Sequence, residues 1–138
     1  MDREFSSWPS FSAEEIMAVS SVLSSNKVNY WTGDECREFE REFANFVGCK
    51  YAIAVSNGTT ALDLALLVLD LGDGDEVIVT SRTFFGSVSS IVNARAIPVF
   101  ADVSLTTQNI TAASIENVIT EKTKAIVCVH LAGWPCDM

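Results

Sequence analysis

The chain has 138 residues, of which 49% are apolar and 20% charged, and its formal net charge is −9. That length fits one domain or a piece of a larger one, and the apolar share belongs to a packed soluble protein, not a disordered chain. Eighteen acidic against nine basic residues, with no basic run, argue against a nucleic-acid or anionic-membrane binder, whose affinity rests on clustered Lys and Arg.

The N-terminus (Met1, Asp2, Arg3, Glu4) has neither a basic n-region nor an apolar h-region, so no export signal is read there. The longest apolar run, Leu64 to Leu69, falls far short of the ~20 residues that span a bilayer. A cytoplasmic protein with reduced thiols is therefore expected. Asn57-Gly58-Thr59 and Asn109-Ile110-Thr111 match the glycosylation pattern, and in a chain that stays inside the cell both are accidental. With one histidine and no CxxC pair among Cys36, Cys49, Cys128 and Cys136, no metal site is expected.

In chain order, Ser12 followed by Glu15 is a capping-box signature, and Ile16, Val19, Ser20 and Leu23 continue one helical face. After a turn-like stretch from Asn26 to Gly33, Phe39, Phe43, Phe46 and Val47 recur at helical spacing, with Arg37, Glu38, Arg41 and Glu42 opposite and Gly48 as the stop. Tyr51 to Val55 reads as a strand covered on both faces. Ser56 to Thr60 is a turn, Ala61 to Leu71 a helix, and Glu76 to Thr80 a second strand. Phe84 to Ala94 is helical, Ile97 to Ala101 a third strand, Thr111 to Ile119 a helix, and Lys124 to His130 a fourth strand. Strands and helices alternating on short connections predict an α/β fold with a parallel sheet covered by helices.

Ala61–Leu71 is apolar on nearly every side, with only Asp63 and Asp70 marking a wet face, and the chain stops at Asp137-Met138 directly after a strand and its turn. Such a helix needs neighbours on several sides, so further chain, another subunit, or both are expected.

The chemistry concentrates at the carboxyl ends of the strands, where open α/β sheets bind ligands. Gly58 allows close backbone approach, and Thr59 and Thr60 bring hydroxyls and free N–H groups to a positive helix start, a seat for phosphate. Alternatively, Ser56 or Thr59 simply caps the helix. In Thr80-Ser81-Arg82-Thr83-Phe84-Phe85 an aromatic ring either lies flat on a heteroaromatic cofactor or belongs to the core. His130 reaches the same edge, in a direct or a structural role, and Asp102 serves as a cap or turn. None of Lys27, Lys50, Lys122 and Lys124 sits where an amine is desolvated for covalent catalysis.

Ser56 to Leu62, Gly74-Asp75-Glu76-Val77, Ser81 with Thr83-Phe84, Asp102-Val103, Thr123-Lys124-Ala125-Ile126 and Val129-His130-Leu131-Ala132-Gly133-Trp134-Pro135-Cys136-Asp137-Met138 run in order, after Tyr30-Trp31-Thr32-Gly33 and Phe39-Glu40. From about Phe11 to Met138 this series resembles the DegT/DnrJ/EryC1/StrS family of sugar aminotransferases, pyridoxal-phosphate enzymes with the aspartate-aminotransferase fold (fold type I).

The resemblance implies that Gly58, Thr59 and Thr60 hold the cofactor phosphate and that Phe84 stacks on the pyridine ring. It makes Asn29 to Gly33 part of an active-site loop. It also implies a homo-oligomer acting on a nucleotide-linked sugar and an amino acid, glutamate being the donor, in surface polysaccharide (lipopolysaccharide) biosynthesis. Thr80 stands where the family usually has proline, Arg82 where it has an uncharged residue, and Gly86 where it has alanine. The family's pyridine-pairing aspartate, phosphate-side serine and cofactor-tethering lysine fall after the matched stretch. The expectation is thus a single incomplete domain over 1–138, helices at 12–47 and βαβ units at 51–138, with the rest of the cofactor domain and a small C-terminal domain absent. Such a chain has no catalytic residue of its own and is inactive alone. A non-catalytic module that self-associates or pairs with a full-length relative is the competing expectation, and a stand-alone nucleotide-binding domain a third.

Overall fold

A computed structural model describes residues 7–138. The Met1–Glu4 stretch read for an export signal lies outside the described residues. The chain divides at the Ala54–Val55 junction into two compact units.

In the N-terminal unit, α1 spans Ala13–Ser25 and opens with the expected capping box. Ser12 N–H donates to Glu15 Oε2 at 2.6 Å, and Glu15 N–H donates to Ser12 Oγ at 3.2 Å. The Ser12 backbone N–H and then its hydroxyl hold the Glu15 carboxyl below its usual value. Helix α2, Glu35–Val47, ends on Gly48 at φ 74°, a left-handed cap that glycine adopts without strain. Its phenylalanine row forms at the expected spacing, with the Phe39 and Phe43 rings 5.8 Å apart, yet Phe39, Phe43 and Phe46 are all exposed.

Between these helices, the Asn29 side-chain oxygen accepts from Trp31 N–H, Thr32 N–H and the Thr32 hydroxyl, and Gly33 N–H closes the turn on Asn29 O at 2.8 Å. Gly33 is buried, and a Cβ there would lie far inside contact distance of the Lys27 carbonyl oxygen and 3.2 Å from Asn29 O. Both obstacles are backbone, so neither yields as a side chain does. Gly33→Ala is expected to destabilise this loop by about 2 kcal/mol or more, read as faster hydrogen exchange at the Thr32 and Gly33 amides. Exchange rates equal to those of the unsubstituted chain would contradict it.

The second unit holds α3 (Gly58–Leu67), β1 (Glu76–Thr80), α4 (Gly86–Asn93), β2 (Ile97–Ala101), α5 (Ala112–Glu116) and β3 (Thr123–Val127). The sheet order is β2-β1-β3, all parallel, with Val77 paired to Pro98 on one side and Ala125 on the other. Central β1 is apolar without alternation because both of its faces are covered: Val77, Ile78 and Val79 are wholly buried. Val77 and Val79 join Leu66 of α3 and Ile91 of α4 in one core, while Ile78 joins Ala101, Ile110, Ile115 and Cys136 in the other. This is the expected α/β fold, a parallel sheet between helices.

Two strand expectations are corrected. Tyr51–Val55 forms no strand, and the sheet has three strands among the described residues, not four. Apolarity favours burial, but a strand also needs a neighbour for its N–H and C=O groups. No strand of the described residues pairs with this run, and Ala54 N–H bonds instead to the Glu40 carboxylate at 2.8 Å. The last strand stops at Val127, short of His130, where the chain turns into a loop. Helices α3, α4 and α5 are also shorter than the periodicity suggested. Leu64, Leu67 and Val68, at the end of α3, are exposed. No helix among the described residues is long and apolar enough to cross a membrane.

Candidate functional site

Helix α3 starts at Gly58, and its cap is neither Ser56 nor Thr59. Asn57 Oδ1 accepts from Thr60 N–H at 2.9 Å and from the Thr60 hydroxyl at 3.2 Å. The spacing from cap to third helical residue is the ordinary one for an asparagine cap, and it was legible in Asn57-Gly58-Thr59-Thr60. This bond divides the expected phosphate seat. Thr60 is committed to Asn57 and to Ser56 Oγ, 3.3 Å away. The amides of Gly58 and Thr59 have no protein acceptor among the described residues.

Gly58 and Thr59 line a cleft of about 650 Å³ together with Leu62, Thr83, Phe84 and His130. The structure thus brings Gly58, Thr59 and Phe84 to one cavity and leaves Thr60 behind them, bracing the helix start. A Cβ built on Gly58 meets nothing within 4 Å, so this part of the helix start opens on free space. Phe84 is largely exposed, which sets aside the reading of its ring as core. The glycine at position 86 matters to its placement. A Cβ there would come within 2.8 Å of Phe84 Cε1 and 3.0 Å of Thr59 Oγ1, so glycine lets ring and hydroxyl rest against the start of α4.

The other departures also resolve. The Thr80 hydroxyl accepts Arg82 N–H at 3.1 Å, and the Arg82 guanidinium donates to Gln108 Oε1, away from the residues lining the cleft. At the far wall, His130 Nδ1 accepts the Cys136 N–H at 3.0 Å. Asn109, buried to 3% exposure, donates from Nδ2 to Trp134 O at 2.9 Å and accepts Leu131 N–H at 3.4 Å. Of the two glycosylation matches, Asn57 is an exposed helix cap and Asn109 a buried strut whose side-chain nitrogen is engaged. Burial, with a smaller contribution from Cys136, pushes the Cys128 thiol up from its usual value, which keeps it protonated and inert. Among the described residues the four cysteines are free thiols.

These features suit a phosphorylated aromatic ligand. Two unpaired amides and a hydroxyl at a positive helix end match an ester phosphate, and an exposed ring at the same cleft matches a flat heterocycle. Among the described residues lining the cleft there is no lysine and no carboxylate.

The model of the DegT/DnrJ/EryC1/StrS aminotransferase family matches residues 9–138. The spore coat polysaccharide biosynthesis protein SpsC of Bacillus subtilis (strain 168) is 43% identical over 132 residues, 96% of this chain and 33% of that protein. The aminotransferase from Psychrobacter cryohalolentis is 66% identical with a TM-score of 0.92, over 97% of this chain and 34% of that one. Spr1654 from Streptococcus pneumoniae, in its PLP form, is 37% identical with a TM-score of 0.85, over 94% and 32% of the two chains. The chain spans about a third of the length of these relatives. Matched by the family along nearly its whole length and sharing its backbone with solved aminotransferases, the chain belongs to the DegT/DnrJ/EryC1/StrS aminotransferase family.

Proposed function

We propose that these 138 residues form the phosphate seat and ring platform of a pyridoxal-phosphate aminotransferase. Its substrates are an amino acid, glutamate, and a nucleotide-linked 4-keto-6-deoxysugar destined for surface polysaccharide. The spore coat polysaccharide role in the name of SpsC and the PLP form of Spr1654 support the substrate class and the cofactor. The work is done in the cytoplasm, where free thiols stay reduced. The observation that carries the reading is the convergence of the unpaired Gly58 and Thr59 amides with the Phe84 ring on one cleft.

When bound, pyridoxal phosphate supplies the electron sink for amine transfer. Gly58 and Thr59 anchor the ester group, with the Thr59 hydroxyl as a further donor. Asn57 fixes the helix start by holding Thr60, so these donors are set before the ligand arrives. Phe84 covers one face of the ring and keeps water from it. A cleft wall without lysine or carboxylate has no amine to tether the cofactor and no acid to pair with its ring nitrogen, and the chain alone binds without turning over.

Pyridoxal phosphate titrated into the chain is expected to bind competitively with inorganic phosphate, and Phe84→Ala to weaken it roughly tenfold through lost ring contact. Binding unaffected by phosphate and by Phe84→Ala would overturn the proposal. Incubation with glutamate, cofactor and keto-sugar nucleotide is expected to release no 2-oxoglutarate, and borohydride to leave no cofactor mass on any lysine. Turnover would overturn the inactivity.

The exposed apolar rows of α2 and the end of α3 support a second reading, a module that associates with its own copies or with a full-length relative. Sedimentation at high concentration tests it, and a monodisperse 15.0 kDa monomer would count against it.

A further inference from the structure

His130 stands in the loop that follows β3 and lines the same cleft as Gly58, Thr59 and Phe84. Its environment fixes which ring nitrogen carries the proton. The partner of Nδ1 is the backbone N–H of Cys136, at 3.0 Å. An amide N–H only donates, so Nδ1 is the acceptor and the proton of the neutral imidazole sits on Nε2. Among the described residues, Nε2 has no protein partner.

The loop that carries this arrangement is fastened at several points. Gly133 N–H returns to His130 O at 3.1 Å and Trp134 N–H to Leu131 O at 2.9 Å. Ala132 and Gly133 take the left-handed conformation, at φ 51° and 81°, that such a tight return requires. Asn109 ties Leu131 to Trp134 from the buried side, and Cys136 Sγ, itself buried, donates to Val129 O at 3.3 Å. Asn109 is in turn anchored, since Ser104 N–H donates to its carbonyl at 3.0 Å and Ile110 bridges Val103. A side chain this well supported at its proximal nitrogen, with its distal N–H free, is a preset donor.

Resting on the proposed cofactor reading, we infer that His130 is a positioning residue whose Nε2–H donates to an oxygen of the bound pyridoxal phosphate. The oxygen belongs either to the ester phosphate or to the ring. Asn109 and Cys136 act through His130 by fixing the orientation and tautomer of its imidazole.

Because His130 is the chain's single histidine, its imidazole nitrogens are observable by 15N NMR without assignment mutants. In the free chain, Nε2 is expected to be the protonated nitrogen and Nδ1 the bare one, and a proton on Nδ1 would overturn the inference. Two substitutions then separate the two ends of the ring in a pyridoxal phosphate titration. His130→Asn leaves an acceptor near Cys136 N–H but removes the distal donor, and a roughly tenfold loss of affinity is expected. His130→Gln restores a distal N–H and is expected to stay within about threefold of the unsubstituted chain. Inorganic phosphate and phosphate-free pyridoxal, titrated in parallel, identify the oxygen by which of the two loses affinity in His130→Asn. Equal affinity of His130→Asn and the unsubstituted chain, with cofactor bound by both, overturns this role alone. An unsubstituted chain that takes up no pyridoxal phosphate overturns the cofactor reading and this role with it.

Discussion

Ile78→Ala is expected to destabilise the second unit by about 3 kcal/mol, and Ile91→Ala by a similar amount. Both side chains are wholly buried, and truncating isoleucine to alanine in a close-packed core loses transfer energy and leaves a cavity, together about 2–5 kcal/mol. The pair tests the layered architecture as well as the burial. Ile78 packs with Ala101, Ile110 and Cys136 on one face of the sheet, and Ile91 packs with Leu66, Val77 and Val79 on the other. The two clusters share no member, so the losses should add to within about 0.5 kcal/mol in the double variant. Urea unfolding measures both. A sum well below the two single losses would mean that the faces communicate or that one is not a packed core.

How far the sequence announced this fold can be traced residue by residue. Glu76–Thr80 was legible to the residue because a parallel strand covered twice needs an unbroken apolar run, and Ile97–Ala101, an edge strand with Ile97 and Phe100 exposed, has the same apolar composition. The Ser12/Glu15 box and the Gly48 stop were legible because each rests on contacts within a few residues of chain. Tyr51–Val55 misled for the converse reason. Its composition is that of a buried strand, but a ladder is a property of two segments, and composition reports only one. The site divided the same way. Gly58, Thr59 and Phe84 were visible through local turn chemistry and family resemblance, and they do meet at one cleft. The division of labour between the free Gly58 and Thr59 amides and the committed Thr60 turns on the Asn57 side chain, a cap that competes in the sequence with Ser56 and Thr59 for the same role. Asn109 was lost, its work being contacts with Leu131 and Trp134 more than twenty positions away.

Gly58→Ala is expected to move stability and ligand affinity in opposite directions, which makes it the sharpest test of the phosphate seat. In the protein itself the added methyl meets nothing within 4 Å, so no clash opposes it. Position 58 is the first residue of α3, and replacing glycine by alanine within a helix gains up to about 1 kcal/mol from the smaller loss of backbone freedom. The thermal midpoint should therefore hold or rise. Affinity should fall instead, because Gly58 lines the cleft and its amide is one of the two unpaired donors. An ester phosphate reaches those N–H groups only if the backbone is bare at the point of approach, and a methyl beside the donor lengthens the contact. A loss of about tenfold in pyridoxal phosphate affinity is expected, equal to about 1.4 kcal/mol. Inorganic phosphate should lose in the same proportion, since the substitution acts on the anion and not on the ring. Phe84→Ala supplies the contrast, weakening pyridoxal phosphate while leaving inorganic phosphate untouched. If Gly58→Ala binds both ligands as before, the anion does not rest on the helix start, and the cleft beside Phe84 serves some other chemistry.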